Sequence, residues 1–136
     1  MFMKLRTLVH RVLLGMQRSH KWPALRRRTI QGAGCCAACG RTTNLTVHHI
    51  QPFHLYPALE LEPTNLIVLC ENKDGNCHLR IGHGRDWDIY NPNVVTDAAM
   101  LRGNPLLQAT VWANARNAAI THLPQEIAAV VDKQTA

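Results

Sequence analysis

The chain has 136 residues, 46% of them hydrophobic, and a formal charge of +6. That length suits one domain with a modest core, and that hydrophobic share excludes a disordered polyelectrolyte. No acid precedes Glu60, so Lys4, Arg6, Arg11, Arg18, Lys21, Arg26, Arg27 and Arg28 form an unopposed basic lobe. Such a lobe attracts phosphodiester backbones, or simply stays solvated.

Residues 1–31 read as a basic helical arm. Leu5, Leu8, Val9, Val12, Leu13 and Met16 recur at helical spacing, with Lys4, Arg6, His10 and Arg11 interleaved. This stretch is too short and too charged to span a bilayer; a docking helix is expected, with membrane-surface binding as the minor alternative. Trp22-Pro23 breaks the arm, because proline restricts the residue before it and favours helix starts. Gln31-Gly32-Ala33-Gly34 is expected to be a flexible lead-in.

Residues 35–84 carry the informative pattern. Two short strands, at 44–49 and 66–69, flank a loop with Pro52, Pro57 and Pro63. A helix is expected from Cys77, stopping by Gly82-His83-Gly84. Residues 85–93 then form a polar loop containing Trp87. A helix follows over 105–120, with Leu106, Ala109, Trp112 and Ala113 on one face, and a second piece over 124–133 carries Ile127, Val130 and Val131. The tail, 85–136, is expected to pack on the same single domain or to pair two copies into a homodimer.

The five cysteines are odd in number, two of them stand in metal-knuckle spacing, and no cleavable leader is apparent. Together these oppose a disulfide framework and point to a cytoplasmic compartment. Cys36-x-x-Cys39, with Gly40 giving the turn room, is a standard knuckle, and Cys70 with Cys77 is the partner pair. Four such ligands suit a structural Zn2+. The second spacer, Glu71 to Asn76, is long, and Asp74-Gly75 within it favours a tight turn. Cys35 could replace Cys36, although the spacing favours Cys36. The plain alternative is a small core of reduced thiols.

His48-His49, Asn65 and His78 form a second, non-cysteine set suited to binding a metal and activating water. Neighbouring strand side chains point to opposite faces, so His48 and His49 cannot do the same job. An imidazole titrates near cellular pH, which suits general-base work. Lone His54, in the loop between the strands, reads as merely exposed.

The strings CCAACG, LTVHHIQP, TNLIVLC and CHLRIGH, taken in order, resemble the cysteine-containing branch of the HNH nuclease family, over about residues 35–84. The resemblance implies an α+β fold: a small ββα-metal, treble-clef-like core with a four-cysteine zinc site, flanked by N- and C-terminal helices. It implies that His48 and His78 bind a catalytic ion, that His49 is the general base, and that Asn65 braces the loop carrying that base. His83 stands five residues after His78 where the family has a histidine about one turn on; it binds metal, contacts phosphate, or lies on the surface.

The implied substrate is DNA, double-stranded, cut to 5′-phosphate and 3′-hydroxyl ends. The ion would be Mg2+ or Mn2+, or a softer transition metal favoured by imidazole ligands. Lys21, Arg26, Arg27 and Arg28 are expected to neutralise phosphates, while Trp22 either stacks on a base or anchors the arm. Two alternatives stay open: a non-catalytic zinc-stabilised DNA-binding module, and a toxin-like nuclease with an acidic inhibitor protein.

Overall fold

The computed structural model describes residues 17–73 and 75–114. The amphipathic stretch expected at 1–16, the end of the helix expected over 105–120 and the piece at 124–133 lie outside the described residues.

Helix α1, Trp22–Ala33, starts with Pro23 in its first turn, where the missing amide costs nothing. Trp22, Leu25, Arg26, Thr29 and Ile30 are its half-buried positions, a stripe at helical spacing that lies against the sheet. The lead-in expected to be flexible is helical through Ala33. Only Gly34, at φ 70°, turns left-handed and returns its N–H to the Ile30 carbonyl at 2.9 Å.

Strands β1, Leu45–His49, and β2, Leu66–Cys70, pair antiparallel as the whole sheet, with His48 opposite Ile67 and His49 opposite Leu66. Both strands grow more buried toward their C-terminal ends, so the His48-His49 pair is enclosed on both faces of the sheet. One face lies under α1 and the other under the turn that follows Cys77.

That turn departs from the expected helix. Residues His78–Gly82 form one π-helical turn, in which the His83 N–H reaches the His78 carbonyl, five residues back, at 3.1 Å. Single π turns of this kind recur at functional sites. Helix α2, Val94–Arg102, was not anticipated, and α3, Pro105–Asn114, follows after Gly103-Asn104.

The core joins Cys36, Ala38, Leu69, Cys70, Cys77 and Ile81 to Val94, Ala98, Leu101 and Leu107. The described tail therefore packs on the knuckle and the π turn. Its apolar face is not the expected one: Leu107 is fully buried, whereas Leu106 is 71% exposed. The Asn104 Oδ1 accepts from the Leu107 amide at 2.9 Å at the start of α3. The architecture is α+β, a two-stranded sheet and helical turn around four clustered cysteines. Among the described residues no helix is long and apolar enough to cross a membrane.

Candidate active site and metal centres

The cysteine pairs meet. Cys36, Cys39, Cys70 and Cys77 each place a sulfur within 4.8 Å of the others. All are free thiols, and the Cys39 and Cys70 sulfurs are 3.7 Å apart. A tetrahedral ion with metal–sulfur bonds of about 2.3 Å would space its sulfurs by roughly 3.8 Å, so the donor set fits Zn2+. Hydrogen bonding to Cys36, Cys39 and Cys77 pulls the Cys70 thiol down, while Cys36, Cys39 and Cys70 push Cys77 up. Four sulfurs this close cannot all ionise without a cation to share.

Cys35 is outside the cluster. Its sulfur faces Arg102, whose Nη1 lies 3.5 Å away and also donates to the Cys36 carbonyl at 2.9 Å. Gly40 has φ +77°, the left-handed region that favours glycine, while the Arg102 guanidinium beside it is a flexible side-chain end that could move aside.

His48, His78 and His83 form the second group, again with one ligand atom each within 4.8 Å of the others. The π turn explains His83. One extra residue in the turn brings position 83 to where a residue four on from His78 would stand in an α-helix. The His78 Nδ1–H donates to Glu71 Oε1 at 2.7 Å, and the His83 Nδ1–H donates to the Ile89 carbonyl at 2.7 Å. Both anchors leave Nε2 as the free lone pair, an arrangement common behind metal-ligating histidines.

His48 is 3% exposed, and its Nε2 is sealed from solvent with no hydrogen-bond partner. A buried polar atom left unpaired costs free energy, and an ion between the three imidazoles would remove that cost. Burial first, then the neighbouring His78 and His83, push the His48 pKa down to about 3. Burial likewise lowers His83. These two rings are held neutral, as ligands must be.

Gly82 makes the approach possible: a Cβ there would stand 3.0 Å from His48 Cε1 and Nδ1. Trp87 roofs the group, its ring centroid 5.1 Å from His78 and 4.9 Å from His83, while remaining 43% exposed. His54 is exposed.

His49 points to the other face of the sheet. Its Nε2–H donates to the Glu60 carbonyl at 2.9 Å, which leaves the Nδ1 lone pair without a partner among the described residues. Burial lowers the His49 pKa, with the Glu60 carbonyl opposing. Trp22 lies over the ring, centroids 4.6 Å apart and planes tilted by 34°. Asn65, 6% exposed, accepts from the Gln51 amide at 2.8 Å and donates to the Gln51 and Leu59 carbonyls at 3.0 and 3.3 Å. It thus ties the start of the 50–65 loop to the residue before Glu60.

Of the basic residues, Lys21, Arg27 and Arg28 are exposed on or beside α1. Arg26 is half-buried and reaches Thr46 Oγ1 at 3.5 Å, on the sheet side.

Glu71, Gly82, Trp87 and the Glu60 carbonyl were not anticipated. Gly82 carried a signal, a glycine just before a candidate ligand where close approach is common. Glu71 carried none beyond being an acid beside a cysteine ligand.

Comparison with known proteins bears on residues 36–84, which match the family model described as HNH endonuclease. Searches of curated proteins and of solved structures gave no match.

Proposed function

From residues 36–84 being an HNH domain of the four-cysteine branch, we propose that the protein is a metal-dependent endonuclease acting on DNA. In this reading Cys36, Cys39, Cys70 and Cys77 hold a structural Zn2+. His48, His78 and His83 hold a divalent ion, Mg2+, Mn2+ or a softer metal. The observation that carries the reading is the division of labour along β1: His48 Nε2 is sealed and unpartnered, while His49 on the opposite face has Nε2 fixed and no partner for Nδ1 among the described residues.

The ion, when bound, supplies positive charge for the scissile phosphate and the departing oxygen. The chain supplies the rest. His49 Nδ1 takes a proton from water as the water oxygen forms its bond to phosphorus; the bond from phosphorus to the 3′ oxygen breaks, and that oxygen takes its proton from a solvent water. The Glu60 carbonyl keeps Nε2–H in place and stabilises the imidazolium, as a hydrogen-bond acceptor behind a general base does elsewhere. Asn65 holds the loop that presents this carbonyl. Lys21, Arg27 and Arg28 position the DNA backbone without reading its sequence.

A second reading has one observation in its favour. His49 is only 7% exposed beneath Trp22, as a scaffold that binds DNA without cutting it would allow. Incubating supercoiled plasmid with the protein and Mg2+, Mn2+ or Ni2+ separates the two. The nuclease reading expects metal-dependent nicking; the scaffold reading expects DNA retention with intact plasmid under every ion.

A further inference from the structure

The start of α1 is fastened to the loop that holds His49. Glu60, 6% exposed, accepts from the Ser19 amide with both carboxylate oxygens, at 3.2 and 3.1 Å, and lies 3.6 Å from Arg18 Nη1. The Arg18 guanidinium covers the Trp22 ring at 5.2 Å and the Phe53 ring at 4.4 Å. Trp22 in turn lies on the His49 ring. A buried carboxylate is costly unless it is paired, so this one is held where it is by the arm. Glu60 does two things at once: its side chain docks residues 18 and 19, and its carbonyl orients His49.

We propose that Arg18, Trp22 and Glu60 are positioning residues that fix the tautomer and ring plane of His49, so the arm belongs to the catalytic apparatus as well as to DNA binding. The proposal rests on the nuclease reading for its effect on turnover. Its physical content is separable. A single hydrogen bond from Nε2 fixes the donor nitrogen but lets the ring tilt about that bond. An indole face against the ring removes the tilt. The two constraints act in different directions, and both depend on the clasp: Trp22 because Arg18 covers it, the carbonyl because the Glu60 side chain holds the loop.

The test uses the full chain and the variants Arg18→Ala, Glu60→Gln, Trp22→Ala and Trp22→Phe, with zinc content and melting checked first. Two readouts are taken: nitrogen NMR of the His49 ring, and the kcat and KM of plasmid nicking with Mn2+. Wild type is expected to show one His49 tautomer protonated at Nε2, with ring-proton signals shifted by the indole. Trp22→Ala and Arg18→Ala are expected to broaden or move those signals and to lower kcat by about ten- to a hundredfold at unchanged KM. Trp22→Phe should restore most of the rate, and Glu60→Gln should fall between.

Folded variants with wild-type His49 spectra overturn the proposal whether or not the protein cuts DNA. So does a loss confined to KM, which would make the arm a DNA-binding attachment only. Absence of wild-type cleavage under every ion is a failure of the nuclease reading instead, and the His49 spectra still decide the clasp. Arg18→Ala removes a side chain already 36% exposed, so the test survives if Trp22→Ala fails to fold.

Discussion

Gly82→Ala should damage the histidine group while leaving the zinc knuckle intact. The added methyl would stand 3.0 Å from His48 Cε1 and Nδ1 and 3.3 Å from Cγ. Contacts this tight are rare for a real Cβ, so the ring or the turn must give by a few tenths of an ångström. The ring has little space to give, since His48 is 3% exposed and its Nε2 is sealed. Moving the π turn instead carries His78 and His83 with it.

Either way the three nitrogens lose their common focus, and the expected cost is about ten- to a hundredfold in ion affinity, or roughly 1.4–2.7 kcal/mol. Titration with Mn2+ followed by electron paramagnetic resonance measures this directly, because the thiolate site prefers Zn2+. A folded Gly82→Ala protein that keeps its zinc and binds Mn2+ as wild type does would refute the reasoning.

Three further outcomes are expected. Cys39→Ser, or stripping the zinc with chelator, should lower the melting temperature by more than about 10 °C or abolish cooperative melting by circular dichroism, since a structural zinc contributes folding free energy outright. Leu107→Ala should cost about 2–5 kcal/mol in urea titrations, whereas Leu106→Ala should stay within about 0.5 kcal/mol, because only Leu107 is buried. Asp97 accepts from Asn91 Nδ2 at 2.6 Å, yet burial raises its pKa above the unfolded value. Its contribution is therefore fully present below the unfolded pKa and is lost as pH rises through the folded one. The melting temperature of Asp97→Asn minus that of wild type should rise between pH 4.5 and pH 7.5; a difference that falls with pH would contradict the sign.

Much of the sheet and knuckle could be read in the residues themselves. The β-branched Thr46-Val47 step of Leu45–His49 and the apolar run of Leu66–Cys70 mark strands, and Cys36-x-x-Cys39 marks a turn that clusters sulfurs. The π turn could not be read, because its one extra residue shows in the sequence only as a five-residue gap between His78 and His83. Helix α2 was hidden for a different reason: Val94–Arg102 buries Val94, Asp97, Ala98 and Leu101 with a polar residue among them, which weakens the periodic signal. The tail face could not be read because it is set by packing of Leu107 against the core residues Val94, Ala98 and Leu101, a tertiary choice that periodicity within α3 does not fix. The His49–Trp22 contact joins residues far apart in sequence, and the His78–Glu71 bond crosses the spacer between two cysteines, so single-chain periodicity carries no trace of either.

The central claim is that His49 drives cleavage at an ion held by its neighbours. The most direct measurement is plasmid nicking by His49→Ala beside wild type, at Mn2+ concentrations where both proteins bind the ion equally. The account predicts that the mutant binds Mn2+ and DNA but cuts at least about a hundredfold more slowly. Equal cutting by the mutant would contradict it.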